Sequence, residues 1–194
     1  MNLKDLFYIQ ETLRTAGYKD ISRTSKEIYT FSKEFSISLT EILERIKKQE
    51  PWEYVRGWAE FRNLNYIVTK DTLIPRIETE QIVDIAKDII GKNSIKKVLD
   101  IGTGSGCIII SLVLENKKGN LQFYASDISK NTLEVAKKNA KKLDAYSKVL
   151  FRQQDLLNTE DITDNLLIIA NLPYIPTKDY KQLEKSVIDF EPRV

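Results

Sequence analysis

The sequence predicts an α/β fold in which a parallel sheet is covered by helices on both faces, with a small all-helical region ahead of it. Three observations carry this expectation. From about residue 76 onward, short β-branched runs alternate with longer helical patterns, as a parallel sheet with helical crossovers requires. Residues 1 to about 50 follow a helical period instead. Between the two, the stretch from Phe61 to Val68 is aromatic and β-branched, with Gly57 before it and Pro75 after it, which suits a short hairpin.

The elements follow in order. Leu3, Leu6, Phe7 and Leu13 recur near a 3.6 period, and Gly17 is a plausible stop for this first helix. Thr24-Ser25-Lys26-Glu27 reads as a capping box opening a second helix, and Ser38-Leu39-Thr40-Glu41 as one opening a third, which Pro51 ends. A helix over 80–90 stops at Gly91. Strands are expected at 97–101, 122–126, 149–153 and 166–170. Helices are expected at 107–115 and at 132–143, the latter capped by Ser129 or Asn131. The predicted organisation is a helical domain over 1–56, a linking β-hairpin over 57–75 and an α/β domain over 76–194.

Bulk chemistry narrows the function. A net charge of +2 gives no strong electrostatic case for a dedicated nucleic-acid binder, and no direct nucleic-acid partner is expected. The chain has no histidine, which excludes imidazole bases and ligands, and no metal site is expected. A single cysteine, Cys107, forms no internal disulfide, which suits a reducing, cytoplasmic setting. No signal peptide and no apolar run of membrane-spanning length is present, so no membrane partner is expected.

Two motifs carry chemistry. Val98-Leu99-Asp100-Ile101-Gly102-Thr103-Gly104-Ser105-Gly106 runs from a buried strand into a helix. Its glycines permit a tight turn and close ligand approach, and the helix start offers free N–H groups. Asp127 closes the next strand and is placed for ribose hydroxyls. A dinucleotide would want Gly-x-Gly-x-x-Gly and no carboxylate beside its pyrophosphate. Here Asp100 precedes Gly-x-Gly-x-Gly, which favours a cationic ligand, and S-adenosyl-L-methionine carries an ammonium, a sulfonium and a ribose. A plain strand–helix turn without a ligand is the alternative. Asp155 could accept from the adenine amino group, or could serve as a helix cap or loop acid.

The second motif is Asn171-Leu172-Pro173-Tyr174, directly after the apolar strand ending at Ala170. In open parallel sheets ligands sit beyond the carboxyl ends of the strands, so both motifs are expected to face one crevice. A planar NH₂ nitrogen is a poor nucleophile because its lone pair is delocalised. Two acceptors, the Asn171 side-chain oxygen and the Leu172 carbonyl, can hold its protons and aim it. Leu172 precedes proline and is biased toward extended backbone. The Tyr174 ring can stack on the flat substrate group. Catalysis would rest on positioning and oriented dipoles rather than on a strong base. An Asn-Pro loop with a buried tyrosine is the bland alternative.

Leu73-Ile74-Pro75-Arg76-Ile77-Glu78-Thr79-Glu80, then Asp100–Gly106, Asp127 and Asn171–Tyr174, occur in an order that resembles the release factor glutamine methyltransferases. Glu50-Pro51, Tyr54, Gly57, Phe61 and Phe190-Glu191-Pro192 extend the resemblance over nearly the whole chain. It implies a Rossmann-like class I S-adenosylmethionine-dependent methyltransferase domain. It also implies N5-methylation of the glutamine in the Gly-Gly-Gln motif of class I peptide chain release factors. The helical region would help dock that partner, and the acting species is expected to be a monomer. By motif position, Gly102, Thr103, Gly104, Ser105, Gly106 and Asp127 would bind cofactor, beside Asp100 and Asp155 as read from their own positions. Leu156 would lie near the adenine, where family members can carry an aromatic. Asn171 would border the cofactor and hold the target amide, with Leu172, Pro173 and Tyr174 shaping its slot.

Two departures stand out. The family motif is usually Asn-Pro-Pro-Tyr, and Asn-Leu-Pro-Tyr also resembles ribosomal RNA adenine dimethyltransferases, which leaves N6-adenine methylation of RNA or DNA as a second reading. Lys137, Lys138, Lys141 and Lys142 share one helix and read as a solvated face rather than a phosphate track. The family fold also has strands beyond Val194, so the sheet is expected to be incomplete. That keeps open a remnant that binds cofactor or release factor without turnover.

Overall fold

The computed structural model describes residues 2–116, 119–157, 162–172 and 185–192. The chain divides into two compact units, one running to Gly57 together with a short helix at Lys185–Phe190, the other beginning at Trp58 and taking in Glu191.

The first unit holds α1 (Leu3–Thr15), α2 (Ile21–Glu34), α3 (Leu39–Lys47) and α4 (Trp52–Arg56). Ile9, Leu13, Ile28, Ile42, Leu43, Ile46, Trp52 and Val55 form its core. The face of α1 differs from the expected one. Ile9, Thr12 and Leu13 are buried, whereas Leu3 is 79% and Phe7 64% exposed. The stripe through 9, 12, 13 and 16 keeps the i, i+3, i+4, i+7 spacing, and Leu3 and Phe7 lie off it. Helix α2 opens three residues before the expected box, because the Asp20 carboxylate accepts from the Arg23 N–H. Glu27, expected to close that box, instead receives Arg23 Nε, Arg56 Nη1 and Trp52 Nε1. Ser38 does precede α3, but its side chain makes no capping bond. That helix ends at Lys47, and Pro51 opens α4 rather than closing α3, a position where its missing N–H costs nothing.

In the second unit, β1 (Trp58–Phe61) and β2 (Leu64–Ile67) form an antiparallel hairpin. Arg62 (φ 51°) and Asn63 (φ 59°) make its two-residue turn, the left-handed pair that matches strand twist. Arg62 then grips the rest of the unit. Its N–H donates to Glu80 Oε1 at 2.7 Å, and its guanidinium spans both oxygens of Glu115. Helix α5 (Glu80–Lys92) runs through Gly91, the expected stop, to a cap at Asn93.

Four parallel strands follow: β3 (Lys97–Ile101), β4 (Gln122–Asp127), β5 (Val149–Gln153) and β6 (Leu166–Ala170), in the order β5-β4-β3-β6. Between β3 and β4 lies α6 (Cys107–Glu115), buried from Cys107 through Val113, which explains a helix without a polar face. Between β4 and β5 lies α7 (Lys130–Lys142), capped by Ser129, which accepts from the Thr132 N–H. The core combines Phe61, Tyr66, Val83, Val98, Ile109, Ile110, Leu112, Phe123, Ala125 and Ile169. From β3 the chain winds toward β5, then returns so that β6 pairs on the other flank of β3. Strand order therefore reverses between β3 and β6, the place where open α/β sheets bind ligands.

The Arg62 guanidinium, aided by the Lys87 ammonium and opposed by burial, holds the Glu115 carboxyl at about 2, below its usual 4.5. A depressed acid stabilises the fold above its unfolded value and loses that contribution as pH falls toward the folded one. The thermal midpoint of Glu115→Gln is expected to lie below that of the wild type at neutral pH and to converge with it from about pH 4.5 downward. Parallel curves across that window would show that the pair contributes nothing to stability.

Candidate functional site at the carboxyl ends of β3, β4 and β6

Strand β3 ends in a turn that only glycine accepts comfortably. Gly102, Gly104 and Gly106 have φ of 66°, 58° and 81°. A Cβ on Gly106 would lie 2.9 Å from Ile110 Cδ1 and 3.3 Å from Ala136 Cβ, so its absence lets α6 and α7 close on the turn. Four hydrogen bonds hold the turn. Thr103 N–H donates to the Ser126 carbonyl at 2.9 Å, and Gly104 N–H to Asp127 Oδ2 at 3.1 Å. Gly106 N–H donates to the Thr103 carbonyl at 2.8 Å, and Asn139 Nδ2 to the Ser105 carbonyl at 2.8 Å.

Asn139 was not among the sequence-derived candidates. It is fully buried on α7, and its amide also pairs with both backbone groups of Ile67 on β2. One side chain thus ties the hairpin, α7 and the glycine turn together. The available signal was an asparagine, a poor helix former, between alanine and lysine deep in a helical pattern.

Two carboxylates flank the turn. Asp127 uses its other oxygen to accept from the Ser129 N–H at 3.0 Å, which orients the group at the end of β4 and leaves lone pairs over. Asp100 is buried. Thr103 Oγ1 donates to its Oδ2 at 2.7 Å, while Oδ1 has no hydrogen-bond partner among the described residues. Burial pushes its carboxyl up to about 7, against the Thr103 hydrogen bond and with the nearby charge of Asp127. A buried carboxylate oxygen lacking a donor fits a cationic group on a ligand. Cys107, buried at the start of α6, has its thiol pushed up to about 12 and stays protonated.

Ile101 and Ala170 are register partners, so Gly102 and Asn171 leave the sheet side by side. The two motifs touch. Leu172 Cδ2 lies 2.6 Å from where a Cβ on Gly102 would stand. Asn171 Nδ2 lies 3.5 Å from Thr79 Oγ1, at the start of α5. Asp155 and Leu156 stand exposed just past β5, with Leu156 at φ 51°. The Gln154 N–H between β5 and Asp155 donates to the Asp127 carbonyl at 3.1 Å. Asp100, Gly102–Gly106, Asp127, Asn171 and Leu172 are therefore gathered at the carboxyl ends of β3, β4 and β6, with Asp155 and Leu156 following the next strand. Pro173 and Tyr174 lie outside the described residues. No group of three or more His, Cys, Asp or Glu side chains among the described residues could hold a metal ion. No helix among them is long and apolar enough to cross a membrane.

A glycine turn at a switch point of a parallel sheet, with an acid at the end of the neighbouring strand, defines a Rossmann-like domain. Residues 92–182 match the family model described as a methyltransferase domain. The relatives are more specific. Release factor glutamine methyltransferase of Bacteroides thetaiotaomicron is 40% identical over 159 residues, covering 80% of this chain and 55% of that protein. The Lactococcus lactis protein of the same name is 43% identical over 155 residues, covering 79% and 55%. That of Mycoplasma mycoides is 33% identical over 202 residues, covering 100% of this chain and 67% of its own. The chain belongs to the release factor glutamine methyltransferase family. It spans about half the length of the first two of these relatives.

The space around the glycines ranks their substitutions. Gly104 has nothing within 4 Å of a built Cβ, so Gly104→Ala carries only backbone strain, about 1 kcal/mol. Gly106→Ala adds a clash between packed helices and is expected to cost about 2–3 kcal/mol. Urea unfolding measures both, and equal losses would mean that α6 and α7 do not close on Gly106.

Proposed function

We propose that this chain takes part in transferring a methyl group from S-adenosyl-L-methionine to the side-chain amide nitrogen of a glutamine. The substrate is the Gly-Gly-Gln motif of class I peptide chain release factors. The observation that carries this reading is the paired exit of β3 and β6, which sets Gly102 beside Asn171 and Leu172 against Gly102. The printed names of the relatives support the choice of substrate. The helical unit would help dock the release factor, and its exposed Leu3, Phe7 and Phe35 offer apolar surface for that contact. The cytoplasm is the expected setting, in keeping with a single cysteine that can form no internal disulfide.

S-adenosylmethionine supplies a methyl group already activated on a sulfonium. The residues of the chain do the rest. Asp127 accepts from the ribose hydroxyls with the lone pairs that Gly104 and Ser129 leave free. Asp100 offers Oδ1 to the cationic end of the cofactor. Asp155 and Leu156 border the adenine. Asn171 Oδ1 and the Leu172 carbonyl would accept hydrogen bonds from the two amide N–H groups and aim the nitrogen at the methyl carbon. The N–C bond would form as the S–C bond breaks, with S-adenosylhomocysteine leaving and the surplus amide proton passing to water. By the motif, Tyr174 would stack on the flat amide, and a proline at 173 would bias Leu172 toward extended backbone. Orientation and fixed dipoles carry the rate, and no strong base is needed.

Labelled methyl transfer to a purified release factor tests the reading, beside a Gly-Gly-Gln→Gly-Gly-Ala variant and ribosomal RNA. Label is expected on the wild-type factor alone. Label on RNA, or on the Gly-Gly-Ala variant, would overturn it. Asn171→Ala is expected to reduce transfer by roughly 100-fold or more with cofactor affinity retained, whereas Asp127→Ala should weaken cofactor binding about tenfold. Calorimetric titration with S-adenosylhomocysteine separates the two.

Asp100 adds a pH dependence. The free protein holds a proton on this buried acid below about 7, and a cationic ligand requires the ionised form. Cofactor affinity is therefore expected to fall as pH drops from about 8 to about 6, and Asp100→Asn should flatten that profile at lower affinity. An unchanged slope in the variant would remove Asp100 from contact with the charge.

A further inference from the structure

We infer that Thr79 is a positioning residue that sets the orientation of the Asn171 amide. The inference rests on the reading of Asn171 as the holder of the substrate amide, and it deepens that reading. An asparagine side chain can be used either way round, with oxygen or nitrogen toward the substrate. Only the oxygen accepts protons, so a holder of an NH₂ group must have its own nitrogen engaged elsewhere. Thr79 supplies that partner. Asn171 Nδ2 faces Thr79 Oγ1 at 3.5 Å, which directs Oδ1 away from the threonine. The distance is long for a hydrogen bond, as site contacts often are before the substrate is bound.

The local backbone leaves the Thr79 hydroxyl available for this contact. Thr79 ends a 3-10 turn (Ile77–Thr79) that runs straight into α5, and with helical backbone (φ −66°, ψ −20°) its side chain makes no capping bond. Its side chain is largely buried, and its hydroxyl is turned to Asn171 instead. The anchor beneath it is firm. Glu80, the next residue, takes the Arg62 N–H at 2.7 Å on its carboxylate and Arg62 Nη1 at 3.2 Å on its carbonyl. Arg62 is in turn fixed by Glu115 of α6. The hairpin thus holds the start of α5, and the start of α5 holds Asn171.

Thr79→Val removes the hydroxyl at nearly constant volume, and Thr79→Ser keeps it. Thr79→Val is expected to lower kcat for release factor methylation about tenfold, with KM for cofactor and thermal midpoint little changed, while Thr79→Ser restores most of the rate. In an Asn171→Ala background the valine change should have no further effect. The side-chain amide resonances of Asn171 in an ¹H–¹⁵N spectrum give a readout that needs no turnover. They are expected to shift and exchange faster in Thr79→Val and to stay near wild type in Thr79→Ser. Unchanged Asn171 resonances in Thr79→Val would overturn the inference. Should the wild type methylate no release factor, the proposed substrate falls, and the resonances still decide the role of Thr79.

Discussion

Three left-handed glycines between β3 and α6 are the constraint from which the site follows. They let the backbone reverse at the end of a buried strand without a side chain in the way. Groups from β4 and α7 are fastened to that turn. Asp127 is oriented by the Gly104 N–H, Ser126 takes the Thr103 N–H, and Asn139 reaches the Ser105 carbonyl from α7. Leu172 occupies the space a side chain at position 102 would need. The sheet order adds the second half, since β6 pairs directly with β3 and delivers Asn171 beside Gly102. A ligand on the turn and a group held by Asn171 would share one crevice for that reason.

Much of the fold is legible in the sequence because short apolar strand runs alternate with longer helical periods beyond residue 76. The apolar runs of β3, β5 and β6 coincide with their predicted bounds, as does α6. The helical unit is less transparent, because alternatives of similar apolarity compete along short amphipathic helices. Leu3 and Phe7 look like core on spacing alone, yet Ile9 and Leu13 fill it. The capping pattern at Thr24 is matched by a better cap, Asp20, with a hydrogen bond to show for it. Gly91 does not stop α5, since a single glycine weakens a helix by about 1 kcal/mol and packing of Val83, Ala86 and Ile90 outweighs that.

The candidate site divides along similar lines. Asp100, the glycine turn, Asp127 and Asn171 are local to strand ends, so strand prediction alone puts them on one edge. Thr79 and Asn139 act across 92 and 72 residues of chain respectively, and nothing in the spacing of the sequence announces such contacts. Arg62 belongs with them. It sits in a hairpin turn, a place that invites a solvent-facing reading, yet it engages Glu80 and Glu115 from two different helices. The position of Leu172 is informative in another way. The sequence marks it as a departure from the family motif, whereas the structure gives its side chain a definite place against Gly102.

In the proposed function the glycine turn and Asn171 form one site, with the nucleoside on one side and the amide on the other. A crystal structure of the chain with S-adenosylhomocysteine and a Gly-Gly-Gln peptide tests it most directly. The ribose should lie on Asp127, and the glutamine nitrogen within about 3 Å of Asn171 Oδ1. A nucleoside bound away from the turn, or a glutamine side chain that does not meet Asn171, would contradict the account.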